Sequence, residues 1–150
     1  MRPQHILDAL LVPATDPARE KPVLEEMQEG GRRYYVLMVL ETAEDGALNL
    51  KRKIWFDRAT LEVARLQLYG PSGVHIEDVW YFDYQDFAGV RYPARIELSR
   101  PVEDYRLSIA IQKATFNQPI AREKFELVKP EGAELVELGS TTKGEGPGGQ

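Results

Sequence analysis

The sequence predicts a mainly β domain, an antiparallel meander with one short N-terminal helix, on three observations. Apolar and polar residues alternate with a period of two through most of positions 33 to 116. Clusters of Gly, Pro and Asp break that alternation at short intervals, the punctuation of hairpins rather than crossovers. The only stretch with clear helical spacing is brief.

That stretch runs from Pro3 to about Leu11, with Pro near the first helical position and Ile6, Ala9 and Leu10 spaced for one helix face. Isolated helices shorter than about 12–15 residues are marginal in water, so the rest of the fold must hold it down. Positions 12 to 31 carry Pro13, Pro17, Pro22 and the Gly30-Gly31 pair and read as an irregular connection, with a helix over Pro22–Glu29 as the lesser reading.

Six strands follow, within 33–116. Arg33–Thr42 is apolar on both faces and predicts cover on both sides. After the turn at Ala43–Gly46, Leu48–Phe56 sets Leu48, Leu50, Ile54 and Phe56 against Asn49, Lys51 and Lys53. Arg52 interrupts the apolar side and calls for a carboxylate or an open end. Leu61–Tyr69 comes next, then the Gly70–Gly73 turn. Val74–Tyr84 follows, read with Val74, Ile76, Trp80 and Phe82 on the apolar side and His75, Glu77, Val79, Tyr81 and Asp83 on the other. Beyond Asp86–Gly89, Val90–Leu98 sets Tyr92, Ala94, Ile96 and Leu98 on one face. Tyr105 to about Phe116 sets Tyr105, Leu107, Ile109 and Ile111 on one face. Positions 117–138 read as an irregular return completing one domain over 1–138, and the Gly-rich tail 139–150 as disordered.

Composition bounds the function. The chain has 150 residues, a net charge of −5, 43% hydrophobic and 29% charged residues and no cysteine. Disulfides, thiolate metal sites and cysteine nucleophiles are excluded. The acidic balance disfavours general nucleic-acid binding, which depends on displacing counterions with a cationic surface. No apolar run reaches the roughly 20 residues of a membrane-spanning helix. The start, Met1-Arg2-Pro3-Gln4-His5, lacks the apolar core of a signal peptide and is read as carrying none.

Chemistry-bearing motifs are sparse. His75 and Glu77 share a strand face but supply only two metal ligands, so no metal or cofactor is expected. Asp83 and Asp86 fit turn chemistry better than an acid–base pair. Ser72 sits in Pro-Ser-Gly, outside a nucleophile elbow, and no phosphate-binding glycine loop is present. Lys51, Arg52 and Lys53 form the densest basic run, but alternation sends Lys51, Lys53 and Trp55 opposite Arg52, and that side reads as a solvated outer strand face. What remains is apolar area. Leu66, Leu68, Trp80, Phe82, Tyr92, Ile96, Leu107, Ile109 and Ile111 form either an ordinary core or a surface for acyl chains. A sheet with one wide apolar face and a single short helix must curl on itself or be covered by a lipid, a partner or further sequence.

The order of Ile54-Trp55-Phe56-Asp57-Arg58-Ala59-Thr60-Leu61, Tyr69-Gly70-Pro71-Ser72-Gly73, Asp83 to Ile96, Phe125-Glu126-Leu127 and Pro130-Glu131-Gly132-Ala133 resembles the outer-membrane lipoprotein-sorting family of carriers and receptors. The resemblance covers roughly 33–138 and matches the C-terminal portion of such a domain. It implies a curved, half-open barrel whose concave face holds lipid or lipoprotein acyl chains without catalysis, at the periplasm or outer membrane. Burial of each methylene contributes about 0.8 kcal/mol, so area and shape suffice for such a ligand. A second reading is an interaction module pairing its apolar face or open edge strand with a protein partner or a second copy of itself.

Overall fold

The computed structural model describes residues 3–43 and 46–119, with side chains from Ile6 onward. Within the unit Met1–Phe116, helix α1 (Pro3–Leu10) precedes seven strands: β1 (Glu20–Glu29), β2 (Arg32–Thr42), β3 (Leu48–Asp57), β4 (Val63–Tyr69), β5 (His75–Phe87), β6 (Val90–Arg100) and β7 (Tyr105–Ala110). Every strand pairs antiparallel with its neighbour in sequence, in the order β1-β2-β3-β4-β5-β6-β7. Among the described residues β1 and β7 are the two edges of this open sheet. The meander and the short helix agree with the sequence reading; the return and tail over 120–150 lie outside the described residues.

The number of strands differs. Glu20–Glu29, read as part of an irregular connection or a helix, is a ten-residue strand paired with β2 from Glu20↔Glu41 to Glu29↔Arg32. A two-residue turn closes this hairpin, with Gly30 and Gly31 at φ 57° and 79°. Two successive left-handed residues match the right-handed twist of the flanking strands, which explains the Gly-Gly pair. β1 buries almost nothing, so pairing with β2 rather than core burial holds it in place.

Other strand limits shift as well, β4 starting at Val63 and β6 ending at Arg100. β5 continues to Phe87 and meets β6 through Ala88-Gly89, another pair at positive φ (55° and 87°). Asp86 Oδ1 accepts from Gly89 N at 2.9 Å, the expected turn role. β7 stops at Ala110, earlier than the alternation suggests, although Ile111 N still donates to Ala94 O at 2.8 Å.

Candidate functional site

Cross-strand register assembles the apolar face. Directly opposed residues of an antiparallel pair project to the same side, and here one line of pairings crosses the whole sheet: Leu24↔Leu37, Leu37↔Ile54, Ile54↔Leu66, Leu66↔Val79, Val79↔Leu98 and Leu98↔Leu107. Each of the seven strands contributes one aliphatic side chain to this row. Its middle is sealed, with Leu66 and Val79 at 0% exposure, while Leu24 at the β1 end is 62% exposed. A parallel line joins Tyr81, Ile96 and Ile109.

Helix α1 covers the middle of this face. Ala9 is fully buried in the same cluster as Ile54, Leu66, Val79, Tyr81, Ile96 and Leu98, with Leu10 packed at its margin. The last turn of the helix leaves carbonyls without intrahelical partners, and two tyrosines of the sheet satisfy them. Tyr81 Oη donates to Ala9 O at 3.0 Å, and Tyr92 Oη donates to Leu10 O. Burial raises the Tyr81 phenol well above its ordinary value, with Tyr92, Tyr84 and Glu77 adding to the effect. Burial also pushes Tyr84 up to about 12, reinforced by Glu62, while its hydroxyl donates to Val63 O.

The connection after α1 is pinned by the charge that interrupts the apolar side of β3. Arg52 places both terminal nitrogens 2.8 Å from the Glu20 carboxylate, and one of them donates to Ala14 O at 3.0 Å. Arg52 therefore has the carboxylate its strand position calls for. At the neighbouring strand ends the buried Glu77 carboxylate accepts from Arg100, which also reaches Glu103. His75 packs against Tyr69, with ring centroids 5.3 Å apart. Glu77 is fully buried, yet its charge is answered by arginine.

Seven of the nine candidate residues share the helix-covered face: Leu66, Leu68, Tyr92, Ile96, Leu107, Ile109 and Ile111. Trp80 and Phe82 do not. The register lines Trp80 up with Arg65 and Glu97 and sets Val79 and Tyr81 inward, so the expected apolar side of β5 is inverted. Trp80 and Phe82 stack at 6.4 Å on the opposite face, with the Arg65 guanidinium 4.3 Å from the Trp80 ring and Arg95 4.0 Å from Phe82. Trp55 joins them, its Nε1 donating to Gln67 Oε1 at 3.0 Å and its ring meeting Tyr34 edge-on. Asp83, at φ 56°, has no partner in the β5–β6 register, which passes from Phe82↔Arg95 to Tyr84↔Pro93. The register is unshifted across this point, and beside the left-handed Asp83 Tyr84 packs on the inner cluster although three positions separate it from Tyr81.

No nucleophile stands beside a base in any arrangement named above, and among the described residues no group of three His, Asp or Glu side chains gathers as a metal set. Clefts open instead at the sheet's margins. One of about 540 Å³ lies along β7 and includes Trp80, Glu97, Arg106 and Ser108. Another of about 350 Å³ lies at the β1–β2 tip. Among the described residues no helix is long and apolar enough to cross a membrane.

No family model matches the chain, and no curated protein matches it. Solved structures do. A DUF1329 family protein from Desulfovibrio piger superposes with a TM-score of 0.54 at 17% identity, over 72% of this chain and 45% of that one. An outer membrane lipoprotein-sorting protein domain from Vibrio parahaemolyticus, described as putative, gives 0.52 at 11% identity, over 71% and 45%. A LolA superfamily protein from Nitrosomonas europaea gives 0.49 at 16% identity, over 66% and 48%. The chain thus spans about half the length of these structures. At such identities the likeness concerns the fold: an open antiparallel meander with a short helix, shared with lipoprotein-sorting proteins.

Proposed function

We propose that the helix-covered face binds lipid or lipoprotein acyl chains, without catalysis, at the bacterial cell envelope. The observation that carries this reading is the aliphatic row from Leu24 to Leu107, which continues past its helical cover to an exposed end at β1. An acyl chain has no directional groups and needs a continuous apolar track. The centre of the row is already filled by the chain's own side chains, so a guest takes the ground that α1 occupies, and the helix lifts when it arrives. Ala9 offers little area to hold α1 down, and its two named ties to the sheet are tyrosine hydroxyls. The periplasmic or outer-membrane setting rests on the shared fold with lipoprotein-sorting proteins.

Native mass spectrometry of the purified chain, together with displacement of a fluorescent fatty acid, tests the reading. Acyl lipid should travel with the monomer. Ile109→Asp should weaken retention by about tenfold or more, the cost of setting a charge against an apolar guest, whereas Phe82→Ser on the opposite face should leave it unchanged. A folded Ile109→Asp variant that retains lipid as well as the parent would overturn it.

A second reading is favoured by β1 itself. Leu24, Val23 and Met27 are exposed along an edge strand of ten residues, the setting for strand addition by a protein partner or a second copy of the chain. A lipid-free dimer in sedimentation would support it.

A further inference from the structure

We infer that the cleft at the β1–β2 tip is a binding site for a phosphate group. It encloses about 350 Å³ between Arg32, Arg33, Asp57, Arg58 and Ala59. The start of β2 and the turn after β3 build it and are tied together, because Arg58 N donates to Arg33 O at 3.0 Å. Its lining carries three guanidinium groups and one carboxylate in a chain whose net charge is −5. That carboxylate is occupied locally: Asp57 Oδ1 accepts from Ala59 N at 2.8 Å and lies 3.4 Å from Thr60 N.

Most arginines of the described residues hold an acid, and Arg32 and Arg33, with Arg106 on β7, are the exceptions. Arg52 holds Glu20, Arg65 holds Asp78, Arg91 holds Glu62 and Arg100 holds Glu77. Arg32 and Arg33 form no ion pair among the described residues. The nearest acids are drawn elsewhere: Glu29, opposite Arg32 in register, lies 3.6 Å from Arg65, and Glu26 holds Arg58 at 2.9 Å. Arg58 is further positioned over the Tyr35 ring, 5.5 Å from its centroid. The result is a concave surface with one positioned guanidinium, two uncommitted ones and a surplus of positive charge. Planar forks of N–H donors suit phosphate oxygens in pairs, and a phosphate monoester carries about −1.5 to −2 charges near neutral pH. A soluble phosphate ester and the headgroup of an anionic phospholipid share the non-bridging phosphate oxygens that such forks recognise, the headgroup as a diester with a single negative charge.

The test uses the full chain and two probes at constant ionic strength: inorganic phosphate followed through backbone amide shifts, and vesicles of phosphatidylcholine with and without phosphatidylglycerol followed by co-sedimentation. Phosphate should shift the amides of residues 31–33 and 58–60, and vesicles that carry phosphatidylglycerol should sediment with the chain. Arg32→Gln/Arg33→Gln should weaken binding by about tenfold, while Lys51→Gln/Lys53→Gln, which removes the same charge elsewhere, should change it little. Phosphate binding without vesicle binding identifies a soluble ester as the source; phosphatidylglycerol-dependent vesicle binding without phosphate binding identifies a headgroup. Equal loss in both double variants, shifts confined to other residues, or no binding of either probe would overturn the inference. All four substituted side chains lie on the surface or its margin, so circular dichroism suffices to show that the variants fold.

Discussion

Arg52 and Glu20 face each other as a two-pronged ion pair, both N···O distances 2.8 Å, with side-chain exposures of only 8% and 11%. The pair joins the start of β1 to β3 and, through Ala14 O, fixes the segment that follows α1. Because the charges are largely desolvated, removing one strands the other. Arg52→Met is expected to cost about 3 kcal/mol, measured by urea unfolding at neutral pH. The Arg52 hydrogen bond holds the Glu20 carboxyl below its ordinary value, with the Asp16 amide and Lys51 acting in the same direction against burial. Its stabilisation is therefore complete above the unfolded value of about 4.3 and disappears as the pH falls through the lower folded value. Glu20→Gln should be less stable than the parent at neutral pH and should close that gap in acid.

Tyr81 and Tyr92 cap the end of α1 from below, and their loss should free the helix before it harms the sheet. Tyr81→Phe/Tyr92→Phe is expected to cost about 1 kcal/mol for each hydroxyl and to speed amide exchange at Leu10 and Leu11 well above that at Leu66 or Val79. Equal acceleration at all four sites would mean that the helix and sheet open as one unit.

Ionisation of the same tyrosines gives an alkaline signature. Burial pushes Tyr84 up to about 12 and raises Tyr81 and Tyr92 as well. A phenol raised in the folded state stabilises it fully below the unfolded value of about 10 and loses that contribution as the pH climbs past it. Stability should fall above about pH 10, and phenolate absorbance should show a late-titrating set that Tyr84→Phe reduces.

The sequence disclosed those parts of the fold that bury something. β2 to β7 announce themselves because alternate residues enter a core, and Arg52 signalled its need for a carboxylate because it falls at an inward position of β3. β1 has no such signature, because Glu20–Glu29 buries so little that alternation leaves no trace; the Gly30-Gly31 pair is the local sign of its hairpin. Alternation along β5 does not say which of its two sides faces inward. Trp80 and Phe82 are the bulkier set, but Arg65 and Arg95 cover their rings on the outer face, while Glu77, which seemed to mark the polar side, is buried with Arg100 as its counter-charge. Both features depend on partners supplied by other strands, which local pattern does not encode.

Arg65 makes this outer layer testable. Its guanidinium lies 5.6 Å from the Trp55 ring and 4.3 Å from Trp80, and it holds Asp78 with two hydrogen bonds of 2.7 and 2.5 Å. Lysine keeps the charge but neither the fork nor the flat stacking surface. Arg65→Lys is expected to cost about 1–2 kcal/mol and to change the tryptophan emission spectrum, because both Trp rings in the chain rest against this group. Acyl retention should be unaffected, since the substitution lies on the face away from α1.

Ala88 holds φ 55° at the tip of the β5–β6 hairpin, a left-handed conformation that costs a side-chain-bearing residue about 1 kcal/mol. Gly89 beside it meets the same demand without that cost. Ala88→Gly relieves the strain but loosens the unfolded chain, an opposing loss of about 0.4–1 kcal/mol. Ala88→Asn avoids most of that loss, because asparagine tolerates the left-handed region while keeping a side chain. Stability should therefore rank Asn above Gly, with Gly close to the parent, in thermal unfolding of the three chains. Ala88→Val should be the least stable of the series, since a branched side chain clashes with the backbone at positive φ.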